Sequence, residues 1–292
     1  MKRKKHKNFL KSVGGHCQMS THFFQINIEG GERVMSYWQD RLAGSQAKLS
    51  EKKKKQIEKQ LTKYYQQASQ KCINEFEKTY FKVVKTVGDG KQPTPADLYK
   101  LDSYWQMLGQ VRGELEKLGD KQIKLLTKEF KSFFMDAYNS YAIPGEKAFS
   151  TIDTEVVEQM INQIWCADGK SFSQRIWGNT ERLIETLNEE LINVLVVGKK
   201  TTDLKKILQQ RFGVSYSRAN AIARTEIAHI QTQAAVQRYK DYGITHVQVW
   251  ADKDERQCEV CGKLHKKIYP AGAVVPIPAH TNCRCCIIPV VD

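Results

Sequence analysis

Cys258-Glu259-Val260-Cys261, followed after an 18-residue span by His280-Thr281-Asn282-Cys283-Arg284-Cys285-Cys286, decides how this chain ends. Each pair of ligand-type residues is separated by two others, so one tight turn can aim both side chains at a single ion. Zinc takes four thiolate or imidazole ligands in a tetrahedron, and two such halves make a complete site. The spacing predicts a structural zinc site built from Cys258, Cys261, His280 and Cys283. Cys285 is an alternative donor in place of His280 or Cys283, and His265 is a weaker one. Four protein ligands would leave no open position for a catalytic water.

Around this stretch the texture is that of a strand. Val247, Val249 and Ala251 alternate with Gln248 and Trp250, and Ile287, Ile288, Val290 and Val291 form a final short strand confined to an edge by Pro289. Residues 244–292 therefore read as a small zinc-binding β-hairpin unit that packs with a helix over 216–242. It has too little apolar volume to be stable alone, and a bound metal supplies folding energy directly.

Everything upstream reads as helix. Ile57, Leu61, Tyr64, Ala68, Cys72 and Phe76 recur at helical spacing, and the Lys52–Lys55 run beside them reads as a solvated bend or surface. After the breakers Gly88 to Pro95 a second helix carries Leu98, Leu101, Trp105, Leu108, Val111 and Leu115, with Gly119-Asp120 as a turn. A third carries Ile123 through Tyr141 and stops before Pro144. Pro144-Gly145 marks a domain boundary. Beyond it, Asp153 caps a helix that ends at Asp168-Gly169, and a helix from Phe172 ends near Gly198. A short one from Thr202 or Asp203 is closed by Gly213. The fold class predicted is mainly α, an elongated helical body followed by a small α+β C-terminal unit stapled by zinc. Its parts are a disordered basic arm over 1–35, an N-terminal helical region over 36–145 and a central one over 146–243. Because Met35 stands just before the first convincing helix, residues 1–34 also read as a candidate upstream extension of the reading frame.

The chain has 292 residues, 41% of them hydrophobic, enough to bury a sizeable core, and a net charge of +14 that favours acidic partners such as nucleic acid, an acidic protein ring or anionic lipid. Five of its eight cysteines fall after residue 257, a distribution that fits metal ligands in a reducing compartment better than a disulfide framework. No apolar run is long enough to span a membrane or to form a signal core, so a cytoplasmic setting is expected. The basic run Lys2 to Lys7 reads as solvated charge rather than as a phosphate grip. Arg224 and Glu226 are expected to tie the long helix to the C-terminal hairpin, while Asp254 and Arg256 shape the turn before Cys258. No phosphate-binding glycine loop, nucleophile elbow or catalytic zinc motif is present.

These residues in this order carry a resemblance: Arg224-Thr225-Glu226 on a helix, a strand with Trp250, Asp254-x-Arg256-x-Cys258-x-x-Cys261, a proline-rich span, then His280-x-x-Cys283-Arg284-Cys285. The arrangement resembles the C-terminal domain of phage Mu F-like minor head proteins, also called head morphogenesis proteins. Phe172 to Trp177, Arg211 to Ala219 and Tyr37-Trp38-x-x-Arg41 extend the likeness over most of residues 36–290. The resemblance implies a non-catalytic minor capsid component of a tailed phage, assembled in the host cytoplasm and retained in the virion head. Its implied partner is the portal protein, with scaffolding protein, major capsid protein and phage DNA as further candidates, and its implied roles are head morphogenesis and DNA packaging or delivery. Cys258, Cys261, His280 and Cys283 match the family's metal ligands, although Thr281 stands where the family usually carries proline. Two alternatives stay open: a toxin-like nuclease or transferase using Glu226 and His229, and a cellular zinc-containing nucleic-acid binder.

Overall fold

Four long helices form the body because each carries one apolar stripe at helical spacing, and such stripes are stable only when they face one another. In the computed structural model they are α1 (Gly31–Val87), α3 (Asp102–Ser140), α5 (Phe172–Val197) and α6 (Thr201–Asp241). The short helices α2 (Pro95–Tyr99) and α4 (Thr154–Asn162) lie on the connections. The structure describes residues 31–88, 93–141, 152–166, 168–251 and 257–290. The basic arm up to residue 30, the boundary at Pro144-Gly145, Asp254 and Arg256 lie outside these. So do the side chains of residues 31–41, including the Tyr37, Trp38 and Arg41 motif. The chain divides into two units, residues 1–41 and residues 42–292, and residues 31–41 are helical.

The stripes are where the periodicity places them. Ile57, Leu61, Ala68, Cys72 and Phe76 of α1 are buried, as are Val111, Leu115, Phe130, Phe133 and Phe134 of α3 and Ile176, Leu183, Leu187 and Val194 of α5. Cross-helix bonds fix the directions. Lys53 meets Glu129 and Lys71 meets Glu114, so α1 and α3 are antiparallel, while Asn179 meets Ser215 and Arg175 meets Glu226, so α5 and α6 are antiparallel too. All four helices converge on one buried polar knot. The Tyr65 hydroxyl bonds Gln122 Oε1 at 3.2 Å and Ser215 Oγ at 3.1 Å, and Asn179 Nδ2 donates to the Ser215 carbonyl at 2.8 Å. Burial pushes the Tyr65 phenol up to about 12.

Several boundaries differ from the sequence reading. The Lys52–Lys55 run is neither a bend nor wholly solvated. α1 passes straight through it, and Lys53 and Lys54 lie buried against Glu129 and Glu51 with their aliphatic stems on the core. Gly119 is not a turn but the middle of α3. A Cβ there would sit 3.1 Å from Trp177 Cζ3 and 3.2 Å from Thr180 Oγ1, so the glycine lets α3 and α5 approach closely. Gly213 does not end a helix either, because α6 runs on to Asp241. Leu204, Leu208, Phe212, Ser215, Ala219, Ala223 and Ile227 form one unbroken buried stripe whose packing outweighs the roughly 1 kcal/mol cost of an interior glycine. Trp105, read as core, is 53% exposed and stacks on Tyr99. The helix capped by Asp153 stops at Asn162, before Trp165.

The C-terminal texture is as expected: a three-stranded antiparallel sheet ordered β2 (Ile268–Pro270), β1 (His246–Trp250), β3 (Cys286–Val290). Val247 and Val249 of the central strand are fully buried, and Pro289 sits opposite Val247 on an edge strand, where its missing N–H breaks no ladder on the far side. The sheet packs on α6 through β3, with the Tyr239 hydroxyl 3.5 Å from the Ile287 carbonyl oxygen.

Candidate metal centre

Between β1 and β2 lies the short helix α7 (Glu259–Leu264), and Cys258 is its N-cap. The Cys258 Sγ accepts the Cys261 N–H at 3.3 Å, so a single helical turn presents both sulfurs on one side. The second knuckle is a tight turn in which the Cys283 N–H donates to the His280 carbonyl at 3.1 Å while Asn282 takes a positive φ of 62°. Helix α6 holds this turn in place. The Thr225 hydroxyl donates to the Ala221 carbonyl at 2.7 Å and accepts the Asn282 N–H at 3.2 Å.

The two knuckles bring five donors together. Cys258 Sγ and Cys261 Sγ lie 3.2 and 3.1 Å from His280 Nε2, and Cys261 Sγ lies 3.8 Å from Cys283 Sγ. Cys258, Cys261 and His280 form one set of mutually close donors, and Cys261, Cys283 and Cys285 form another, each able to hold a metal ion. The four residues singled out from the spacing are thus not one closed set. Cys261 belongs to both groups, and Cys285 is as much part of the cluster as Cys283.

The donor chemistry suits a soft cation. The 3.8 Å sulfur separation equals the edge of a tetrahedron with zinc–sulfur bonds of about 2.3 Å, which is about 3.8 Å. The sulfur–nitrogen contacts are shorter than the corresponding edge of about 3.6 Å, as thiol–imidazole hydrogen bonds are. His280 Nδ1 lies 2.8 Å from the Thr281 carbonyl oxygen. That oxygen can only accept, so Nδ1 carries the proton and Nε2 turns its lone pair toward the sulfurs, the orientation a metal-binding histidine needs. The same carbonyl raises the pKa of the imidazole. A hydrogen bond from the Cys285 thiol, with backbone amides, holds Cys283 down at about 5 and pushes Cys285 up. Burial drives Cys261 up to about 12, and the Cys261 amide lowers Cys258.

The remaining sequence-selected residues lie elsewhere. His265 belongs to neither donor group. Its Nδ1 accepts the Ala251 N–H at 3.2 Å and its ring meets Trp250 edge-on at 4.8 Å. Cys286 stands beside Tyr141 and Tyr239 in the helical core. Among the described residues, the ion pairs and hydrogen bonds of Arg224 and Glu226 run to the helical body rather than to the hairpin. Arg224 lies 3.6 Å from Glu51 of α1, while Glu226 accepts from Trp165 Nε1 at 3.0 Å and from Arg175 at 2.6 Å. Their neighbour Thr225 makes the link instead. An Arg-Thr-Glu triplet on a buried helix face signals a polar contact, but only the packing shows which of the three reaches it. His229 is buried and stacked flat on Trp165 at 4.2 Å, and burial depresses its pKa to about 3. Glu226 is 2% exposed and its pKa is raised by the same burial.

The fold and the cluster define a mainly helical protein whose end is a small antiparallel sheet carrying a Cys/His site able to hold a metal. Residues 185–288 match the family described as Phage Mu protein F like protein. This stretch runs from mid-α5 into β3 and contains all five donors, and over it the chain is similar to phage Mu F-like proteins. No curated protein and no solved structure matches the chain. Among the described residues, no helix is long and apolar enough to cross a membrane.

Proposed function

We propose that this chain is a non-catalytic minor head protein of a tailed phage, acting in head morphogenesis at the portal vertex and retained in the virion. The observation that supports this reading is coincidence: the family match covers α6, β1, β2, the start of β3 and the whole Cys/His cluster, parts that Thr225 helps to join. Zinc, bound by Cys258, Cys261, His280 and one of Cys283 and Cys285, is the cation we assign to the cluster. It would close the loop from Cys261 to His280 and supply the folding energy that a three-stranded sheet lacks. The portal protein is the proposed partner of the helical body, with the stapled end as a rigid knob, and scaffolding or major capsid protein as further contacts. Packaging or delivery of DNA belongs to the same reading.

Burial of Glu226 and His229 weighs against a reaction centred on that pair. Quantitative mass spectrometry of purified particles tests the proposal. The chain is expected in mature heads at a small fraction of the major capsid protein's copy number. Particles and procapsids devoid of it would refute the assignment.

A further inference from the structure

The positive charge of this chain is arranged in two stripes. On α1, Lys48, Lys52, Lys55, Lys59 and Lys63 are all exposed and recur every three or four residues, so they share one outward face. On α3, Lys117, Lys121, Lys124 and Lys128 are exposed with the same spacing. The pairings of Lys53 with Glu129 and of Lys71 with Glu114 set the helices antiparallel and place the two stripes side by side. Acids near them are partly engaged, although Asp120 beside Lys121 is exposed. Glu129 is buried on Lys53, and Glu51 is engaged by Lys54 and Arg224. Lys117 pairs with Glu114, whereas none of the other eight lysines has an ion-pair partner among the described residues. Lys53 and Lys54 face inward and contribute nothing to the surface.

We propose that this double stripe is a docking surface for the phosphate backbone of duplex DNA. The stripe on α1 spans 15 residues, about 22 Å at 1.5 Å per residue, the length of roughly six base pairs at 3.4 Å each. An acidic protein partner would need apolar anchors, because the centres of protein interfaces are aromatic and depleted in lysine. None of the exposed large apolar side chains falls in either stripe; Phe81, Tyr99 and Trp105 lie beyond them. A single strand would need aromatic faces for its bases, and none is exposed here. Rigid rows of cations without apolar or aromatic content match a uniform double row of phosphates, and the recognition is independent of sequence.

The assignment goes beyond the head-protein reading and stands or falls separately from it. The test uses the purified full-length chain and labelled 30-base-pair duplexes of two unrelated sequences, with fluorescence anisotropy from 50 to 200 mM salt. Both duplexes are expected to bind alike, with log K falling linearly and steeply against log salt. Replacing Lys52, Lys55, Lys59 and Lys63 together by Gln is expected to reduce that slope by about 3 to 4, since each lost phosphate contact removes about 0.9. The set Lys121→Gln, Lys124→Gln and Lys128→Gln should act in the same direction. Replacing the exposed Lys199, Lys200, Lys205 and Lys206 by Gln makes the same charge change elsewhere and should leave the slope within about one. Equal losses in both four-lysine sets would reduce the effect to net charge and overturn the proposal. So would failure to bind duplex at 50 mM salt, tighter binding of single strands, or stripe-dependent binding of polyglutamate in place of DNA.

Discussion

At the scale of single residues, the cluster depends on contacts that no motif names. The Thr225 hydroxyl of α6 accepts the Asn282 N–H of the second knuckle, so Thr225→Val leaves that N–H without its partner. A loss of about 1–3 kcal/mol in unfolding free energy is expected in chemical denaturation; an unchanged midpoint would show that the knuckle is held without α6. His229 makes a second prediction. Its folded pKa of about 3 lies below its ordinary 6.5, so the folded state refuses a proton that the unfolded chain accepts. Its contribution is complete above pH 6.5 and is lost as pH falls from there toward 3, at up to about 1.4 kcal/mol per pH unit. His229→Phe keeps a ring against Trp165 and should flatten this part of the stability–pH curve; an unchanged slope would place the acid sensitivity elsewhere. The donors themselves were legible in sequence, because a two-residue gap has few geometric solutions. Their grouping was not. It depends on the left-handed turn at Asn282 and on burial of Cys261, which only the folded knuckles provide.

At the scale of elements, the helical stripes were legible and the helix ends were not. Glycine is a strong local stop signal, yet Gly119 and Gly213 lie inside helices whose apolar stripes continue in phase on both sides, and tertiary packing outweighs a penalty of about 1 kcal/mol at each. The two differ in kind. Around Gly213 there is open space, and nothing in the structure explains the choice of glycine there. Gly119 sits under Trp177, so Gly119→Ala should destabilise the protein by about 1–3 kcal/mol through overpacking, despite alanine's better helix propensity. Trp177→Leu in the same chain should recover part of that loss in thermal denaturation. A stabilising Gly119→Ala would mean that α5 yields easily and that the close approach of the two helices is incidental. The sheet was read correctly because strict alternation over Val247–Ala251 has no helical counterpart, whereas Trp105 was misread because a helix-spaced aromatic carries no sign of being at a corner.

At the scale of the molecule, residues assigned from sequence to separate helical regions share one buried cluster, from Ile57 of α1 to Ile287 of β3. The Tyr65, Gln122, Asn179 and Ser215 knot sets how the four helices meet, since any other register would strand these buried groups without partners. Nothing local marks those four residues, which lie far apart in sequence and look like ordinary surface polar residues. The sheet adds little apolar area of its own, and on the proposed reading a cation at the Cys258–Cys285 cluster would make it a rigid end rather than a frayed one. Native mass spectrometry of the purified full-length chain tests this directly. The account predicts one zinc ion per chain, absent from Cys261→Ser, which removes the donor common to both groups, and retained in the chain carrying Cys286→Ser. A folded wild-type chain without metal, or zinc binding unaffected by Cys261→Ser, would contradict it.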